Sequence, residues 1–326
     1  MRSEALDTGF RRDEGITSRF GIALKTEKGC VLPLHTPEPN PPVPPPQGNA
    51  PGCVSDWLGW AVRELQCGDS RRLDAEILLC ELLGCSRAGL VIRADEVISA
   101  EAALRYAASI ERRRQGEPLA YLTGRREFWS LDLAVSPAVL IPRPDTELLV
   151  EWALQRLSGC VSPSLADLGT GSGAIALALA SERPDARVVA TDLSADALDQ
   201  ARRNGRQLGL AQVEFRRGDW LEALAGERFD LIVANPPYIA EADPHLPALR
   251  YEPRRALTAG VDGLDALRRI AADASACLKP GAALLLEHGA DQGEAVRALL
   301  RERAYTGVET RRDLNGLERA TIAIQP

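Results

Sequence analysis

From Ser164 onward, short apolar runs alternate with amphipathic segments, and this alternation restricts the fold more than any other feature of the chain. Strands are expected at Ser164–Leu168, Arg187–Thr191, Val213–Arg216, Phe229–Ala234 and Ala282–Glu287. Helices are expected at Ser172–Glu182, Ala195–Leu208, 264–276 and from Gln292, with two closing strands near 305–310 and 318–324. Such a succession builds a parallel sheet with helices on both faces. Ligands then bind beyond the carboxyl ends of the strands, where the strand order reverses. The fold expected is therefore α/β and Rossmann-like, and the residues that matter should stand just after strands.

The preceding residues divide into three parts. Residues 1–53 carry nine of the 22 prolines between Pro33 and Pro51, including Pro44-Pro45-Pro46, and read as a disordered Pro-rich extension. Residues 54–117 have helical spacing. Ser55 is placed to cap a helix through Trp57, Leu58, Ala61, Val62 and Leu65. A second helix runs from Arg71 to Leu83 and stops at Gly84; a third covers Arg87 to Arg93, and a fourth runs from Ser99 to Arg114. This small helical bundle is too short to be well stabilised alone. Its Arg112-Arg113-Arg114 triplet reads as a helix end complementing its own dipole. Residues 118–144 switch to a two-residue period, and Leu119–Thr123, Gly124 and Arg126–Val135 read as strand, turn and strand of a β-hairpin. The alternating sheet segment then occupies 145–326.

Charge and composition exclude several classes. The 326 residues include 39 basic and 46 acidic ones, for a net charge of −7. Residues 54–117 hold 9 basic and 11 acidic side chains and residues 118–326 hold 24 and 29, so neither part resembles a nucleic-acid grip. The apolar stretch Ala174–Ala180 is far below the roughly 20 residues a membrane span needs. The charged start MRSEALDTGF does not resemble a signal peptide. Seven cysteines without a CxxC pair read as free thiols of a reducing cytoplasm, and with only three histidines no bound metal is expected.

The first strand of the sheet ends in Asp167-Leu168-Gly169-Thr170-Gly171-Ser172-Gly173, and a helix follows at once. The spacing is GxGxG, without the third glycine of the dinucleotide fingerprint GxGxxG. A tighter turn suits a ligand with no phosphates to hold, such as S-adenosyl-L-methionine. Asp192 closes the second strand, where an acid accepts hydrogen bonds from ribose hydroxyls. Asp219-Trp220 follows the third strand: the acid is placed to accept from an adenine amino group or to cap a helix, and the indole to cover the ring.

The fourth strand runs into Asn235-Pro236-Pro237-Tyr238. Two prolines fix the backbone and remove two N–H donors. What they leave are acceptors, the Asn235 side-chain oxygen and the Pro236 carbonyl, beside a tyrosine ring. That set fits the grip of a planar NH₂ group: two acceptors for its two N–H bonds and a ring for its flat face. Asn235, Pro236 and Tyr238 are the candidate catalytic residues. His245 and His288 are read as structural.

Gly169–Gly173 together with Asn235-Pro236-Pro237-Tyr238 resembles the amino-directed class I S-adenosylmethionine-dependent methyltransferases. Within that superfamily, Leu122-Thr123-Gly124, Arg126-Glu127-Phe128-Trp129 and Ile141-Pro142-Arg143-Pro144-Asp145-Thr146-Glu147 are similar to the bacterial release factor glutamine methyltransferase family. So are Tyr251-Glu252-Pro253 and Leu286-Glu287-His288-Gly289. The resemblance runs in order over residues 55–326, and its one departure in the glycine turn is Ser172, where threonine is also common. It implies methylation of the amide nitrogen of the glutamine in the Gly-Gly-Gln loop of class I peptide chain release factors. By matching position it implies that Gly169, Thr170, Gly171, Ser172, Gly173, Asp192, Trp220 and Asn235 hold the cofactor. Asn235, Pro236, Pro237 and Tyr238 would then grip the glutamine amide, and the Leu140–Arg143 segment, with Leu140 and Arg143 at its ends, would wall its pocket. The helical bundle would help dock the release factor.

Three rivals remain on the sequence. A DNA adenine or ribosomal RNA methyltransferase shares the Asn-Pro-Pro-Tyr motif but usually adds a basic recognition region. A nucleotide-binding module without catalysis has no use for Asn235 and Tyr238. An NAD-dependent oxidoreductase is disfavoured by the GxGxG spacing.

Overall fold

The computed structural model describes residues 52–65 and 70–326; the Pro-rich extension expected over residues 1–53 lies almost wholly outside them. Helices α1 (Val54–Glu64), α2 (Arg71–Leu83), α3 (Arg87–Ile92) and α4 (Ala100–Arg114) share one apolar core. In it Trp57, Trp60 and Tyr106 meet edge to face, with ring centroids 5.4 to 6.4 Å apart, a geometry that aligns ring edges with ring faces. The buried Tyr106 hydroxyl donates to the Ala75 carbonyl at 2.9 Å. Ser55 does not cap α1. Cys53 occupies that position, its N–H and thiol both donating to Asp56 (3.1 and 3.0 Å), so the helix starts two residues earlier than Ser55 would place it. Each arginine of the triplet ending α4 meets a carboxylate: Arg112 with Glu117, Arg113 with Asp74 and Arg114 with Glu111.

Leu119–Thr123, expected as a strand, is instead a short helix, α5. Pro118 precedes it and Gly124 ends it in the left-handed region at φ +73°; a five-residue apolar run carries no period that separates strand from helix. The hairpin lies wholly within the following segment, as β1 (Arg125–Phe128) paired antiparallel with β2 (Leu131–Ala134). Its turn residues Trp129 and Ser130 both have positive φ, 51° and 60°, the twist a two-residue hairpin needs although neither is glycine. The Trp129 N–H and indole N–H are held by Glu147 and Glu182, at 2.9 and 2.8 Å.

After a 3-10 turn (Pro144–Thr146) and α6 (Glu147–Arg156), the chain enters the sheet. The order is β3 (Ser164–Leu168), α7 (Ala174–Glu182), β4 (Arg187–Asp192), α8 (Ala195–Gln207), β5 (Glu214–Arg217), β6 (Phe229–Ala234), α9 (Asp265–Asp273), β7 (Leu278–Glu287), α10 (Gly293–Glu302), β8 (Thr306–Arg312) and β9 (Glu318–Ile324). The seven strands lie in the order β5-β4-β3-β6-β7-β9-β8. β3 to β7 are mutually parallel, and β9 runs antiparallel to both its neighbours.

The central strands are buried on both faces. In β6, Leu231 and Val233 enter one core with α6 and α7, while Ile232 and Ala234 enter the other with α9 and α10. This is why they read as continuous apolar runs rather than alternating ones. β3 and β6 are neighbours from which the chain proceeds to opposite edges, so a crevice opens beyond their carboxyl ends. Among the described residues no helix is long and apolar enough to cross a membrane.

Candidate active site

Both expected motifs stand at this crevice. Gly169, Gly171 and Gly173 have φ of 69°, 56° and 87°, values that strain any residue with a Cβ. Gly169 is exposed and Gly173 buried, where a Cβ would meet Leu177 at 3.0 Å and Ala201 at 3.2 Å. The side chains between them turn inward. The Thr170 hydroxyl donates to Asp167 at 2.6 Å, and the buried Ser172 passes its carbonyl to Asn204 at 2.8 Å. Asn204 also exchanges two hydrogen bonds with Ala134, at 2.9 and 3.0 Å, and so ties the hairpin to the glycine turn.

Asp192 is half-buried at the end of β4. One oxygen accepts the Gly171 N–H at 2.9 Å and the other the Ser194 N–H at 2.8 Å. A carboxylate has about four acceptor positions, so each oxygen keeps capacity for a hydroxyl. Burial raises its pKa, against these backbone hydrogen bonds and nearby Arg255. Trp220 has a left-handed backbone, φ 55°, held by the Thr191 hydroxyl donating to its carbonyl at 3.0 Å. Its ring lies over Gly169, the Cζ3 atom 3.1 Å from the position of a Cβ there. The Asp219 carboxylate is engaged by Arg269 of α9. The 3-10 turn that follows takes no side-chain cap, so Asp219 does not cap it.

At the end of β6, Asn235 is half-buried and Pro236 buried. Asn235 Nδ2 donates to the Thr146 hydroxyl at 3.0 Å, which turns Oδ1 the other way. Among the described residues neither Asn235 Oδ1 nor the Pro236 carbonyl receives a hydrogen bond. The Tyr238 hydroxyl donates to Glu287 at 3.3 Å; burial and that carboxyl push its pKa well up, so the phenol stays protonated. The loop beyond is pinned on both sides. Gln292 donates to the Tyr238 carbonyl at 2.9 Å, and Ile239 exchanges backbone bonds with Leu257 and Ala259.

The Leu140–Arg143 segment is braced from two directions. Glu252, within Tyr251-Glu252-Pro253, accepts the Ile141 N–H at 3.1 Å and pairs with the Arg143 guanidinium at 2.5 Å. Tyr121 of α5 donates to the Val139 carbonyl at 2.6 Å. Leu140 is half-buried between these anchors.

Three residues of this site escaped the reading of its chemistry. Asp167 is buried beneath the glycine turn, and its Oδ1 has no hydrogen-bond partner among the described residues; burial lifts its pKa to about 7. Thr146 and Glu287 stand behind Asn235. The readable signal for Glu287 was an acid closing the apolar run Leu284-Leu285-Leu286. Among the described residues neither histidine hydrogen-bonds to the acceptor pair: His288 is buried between Thr321 and the Gly289 carbonyl, and His245 pairs with Asp243.

The chain matches the family model described as the PrmC N-terminal domain over residues 56–124 and that of the Methyltransferase small domain over residues 144–250. It is 56% identical over 257 residues to the release factor glutamine methyltransferase of a Xylella fastidiosa strain, covering 78% of this chain and 94% of that protein. To the Escherichia coli protein of the same name it is 48% identical over 268 residues, 82% of this chain and 96% of the other. Among solved structures, the hMettl16 catalytic domain in complex with a 3'UTR hairpin matches with a TM-score of 0.50 at 15% identity, over 69% of this chain and 80% of that one, a likeness of fold alone. With near-complete coverage of relatives that share about half their residues with it, the chain belongs to the release factor glutamine methyltransferase family.

Proposed function

We propose that this chain transfers a methyl group from S-adenosyl-L-methionine to the side-chain amide nitrogen of the glutamine in the Gly-Gly-Gln loop of class I peptide chain release factors. The products are N5-methylglutamine and S-adenosylhomocysteine. Family membership supports the substrate class. The observation that carries the chemistry is the pair of open acceptors, Asn235 Oδ1 and the Pro236 carbonyl, at the switch in strand order.

The residues at the crevice suit this cofactor. Gly169 and Gly171 let backbone approach a ligand, Asp192 offers acceptors for ribose hydroxyls, and Trp220 offers a flat apolar face. Beneath the turn, the buried Asp167 carboxyl accepts the Thr170 hydroxyl at 2.6 Å and the Ala176 N–H at 3.2 Å and so holds the turn in shape. Thr170, Ser172 and Gly173 shape the turn from inside. When bound, S-adenosyl-L-methionine supplies a sulfonium methyl group that is already a strong electrophile.

The acceptor amide is a weak nucleophile because its nitrogen lone pair is delocalised. Asn235 Oδ1 and the Pro236 carbonyl accept its two N–H bonds, drawing density toward nitrogen and aiming the lone pair. Pro237 stiffens the strand end, and the Tyr238 ring covers one face of the amide. Leu140 and Arg143 close the pocket beside it. This is catalysis by positioning and preorganised electrostatics, and the nitrogen loses its extra proton to water after transfer. In this reading residues 54–117 help dock the release factor, 118–144 link, 145–326 carry the chemistry, and the reaction takes place in the cytoplasm.

The test is to incubate the protein with S-adenosyl-L-methionine and an unmodified class I release factor, then measure the mass of the tryptic peptide bearing the Gly-Gly-Gln loop. A gain of one methyl on that glutamine, absent with Asn235→Ala, is the expected result. Bound cofactor with no gain on that peptide would overturn the substrate assignment.

A further inference from the structure

Asn235 has a carboxamide that fits its site in two orientations related by a flip, and only one presents an oxygen to an incoming NH₂ group. Thr146 and Glu287 choose between them. Thr146 ends the 3-10 turn before α6 and is 4% exposed. Its hydroxyl accepts Asn235 Nδ2–H at 3.0 Å, and Glu287 is the carboxyl its proton faces. Glu287 ends β7 at 1% exposure; its Oε1 accepts from Tyr238 at 3.3 Å, and its buried Oε2 has no hydrogen-bond partner among the described residues.

A hydroxyl has one proton to give, and an ionised carboxylate only accepts. While Glu287 is ionised, its open carboxyl oxygen is the acceptor that draws the Thr146 proton, and a lone pair of the hydroxyl faces Asn235. The flipped carboxamide would then set oxygen against oxygen. The direction of every bond from Glu287 to the acceptor pair is therefore set at the buried end.

We propose that Thr146 and Glu287 are positioning residues, Glu287 orienting the Thr146 hydroxyl and Thr146 in turn locking the Asn235 carboxamide with its oxygen toward the substrate amide. This rests on the reading of Asn235 as the residue that grips that amide.

The lock has a pH dependence. The charged and titratable groups facing Glu287 are Tyr238 from the loop after β6, Asp145 from the 3-10 turn and Arg319 from β9. Arg319 is shared with Asp313 at 3.1 Å and Asp145 at 3.8 Å. Arg143 adds positive potential at Tyr238. The His288 ring is occupied by Thr321 and the Gly289 carbonyl. Burial outweighs the hydrogen bonds and Arg319, lifting the Glu287 carboxyl to about 7. As pH falls through that value the carboxyl gains a proton it can donate, Thr146 is released from its single direction, and the productive orientation is no longer enforced.

The experiment compares steady-state kinetics of the full chain with Thr146→Val, Thr146→Ser, Glu287→Gln and Asn235→Ala, using an unmodified release factor, with S-adenosylhomocysteine affinity measured for each. Thr146→Val is expected to lower kcat by about 100-fold, the scale of a misplaced reacting group, with KM for the release factor and S-adenosylhomocysteine affinity little changed. Thr146→Ser restores the hydroxyl and should recover most of kcat. Wild-type kcat should fall below pH about 7, and Glu287→Gln should remove that inflection while lowering kcat about tenfold, the loss of roughly one hydrogen bond's worth of orientation. Wild-type turnover by Thr146→Val overturns the lock if Asn235→Ala is inactive; turnover by Asn235→Ala overturns the grip itself. A Thr146→Ser variant as slow as Thr146→Val shows that the methyl group, not the hydroxyl, matters, and overturns the proposal. An unchanged inflection in Glu287→Gln overturns the part given to Glu287, and this comparison decides the matter even if Thr146→Val fails to fold.

Discussion

The Trp220 ring lies against the bare face of Gly169, its Cζ3 atom 3.1 Å from where a Cβ would stand. A residue 51 positions away in the sequence thus uses the space that only glycine leaves free. The consequence is a graded response along the glycine turn. Gly169→Ala meets both the ring and a φ of +69°, whereas Gly171→Ala meets only its φ of +56°, with nothing within 4 Å of the new atom. Left-handed backbone costs a Cβ-bearing residue about 1–2 kcal/mol. Calorimetry with S-adenosylhomocysteine should show Gly169→Ala losing more affinity than Gly171→Ala; equal losses would mean that the ring contact is incidental.

Asp192→Ala should weaken cofactor binding by about 10- to 100-fold, the range for hydrogen bonds to a charged group. Part of that loss arises because the Gly171 N–H also loses its acceptor. Unchanged affinity in the same titration would remove the ribose assignment.

Asn235→Ala should lower kcat by at least about 100-fold, as removal of a preorganised polar group does, with S-adenosylhomocysteine still bound. Single-turnover methylation of a saturating release factor reads this directly, and wild-type-like turnover would sink the mechanism.

Glu252→Gln should leave cofactor affinity intact while raising KM for the release factor and lowering thermal stability. Glu252 carries both anchors of the pocket segment, the Ile141 N–H and the Arg143 guanidinium. Breaking a buried pair on one side costs about 3–5 kcal/mol, an upper figure here because Arg143 is 36% exposed. A variant with unaltered KM would show that the segment does not shape the substrate pocket.

Asp167 should make stability fall with rising pH. Its folded-state pKa is raised from 3.8 to about 7 by burial, so between those values the folded state holds a proton that the unfolded chain has released. The stability this group contributes is complete below about pH 4 and lost as pH rises through about 7. Asp167→Asn does not titrate, so its melting temperature relative to wild type should climb across that window in the cofactor-free protein. A constant difference would show that Asp167 does not titrate there.

The local rules worked where a pattern repeats within a few residues. The buried strands, the GxGxG turn and the two prolines after β6 all announce themselves in short windows, and every sheet strand expected from Ser164 onward is present with ends shifted by a few residues at most. They failed where local preference was ambiguous or overruled. Leu119–Thr123 is short and apolar enough for either state, and its flanking Pro118 and Gly124 made it a helix. Trp129 and Ser130 adopt the positive φ of a two-residue hairpin turn although neither is glycine, and Glu147 and Glu182 hold the tryptophan there; no turn rule names that pair.

The support behind the site was beyond such rules altogether. Thr146 lies 89 residues from Asn235, and Glu252 lies 111 from Ile141; nothing in either neighbourhood of sequence indicates the other. By itself the sequence determined the order of strands and helices, and with it the crevice where a glycine turn and an amide-gripping pair must meet, because backbone preference and apolar period act over a few residues. Only the tertiary structure decided which way the Asn235 carboxamide faces, since a hydrogen bond's direction depends on which partners packing buries together, and burial is a property of the whole fold.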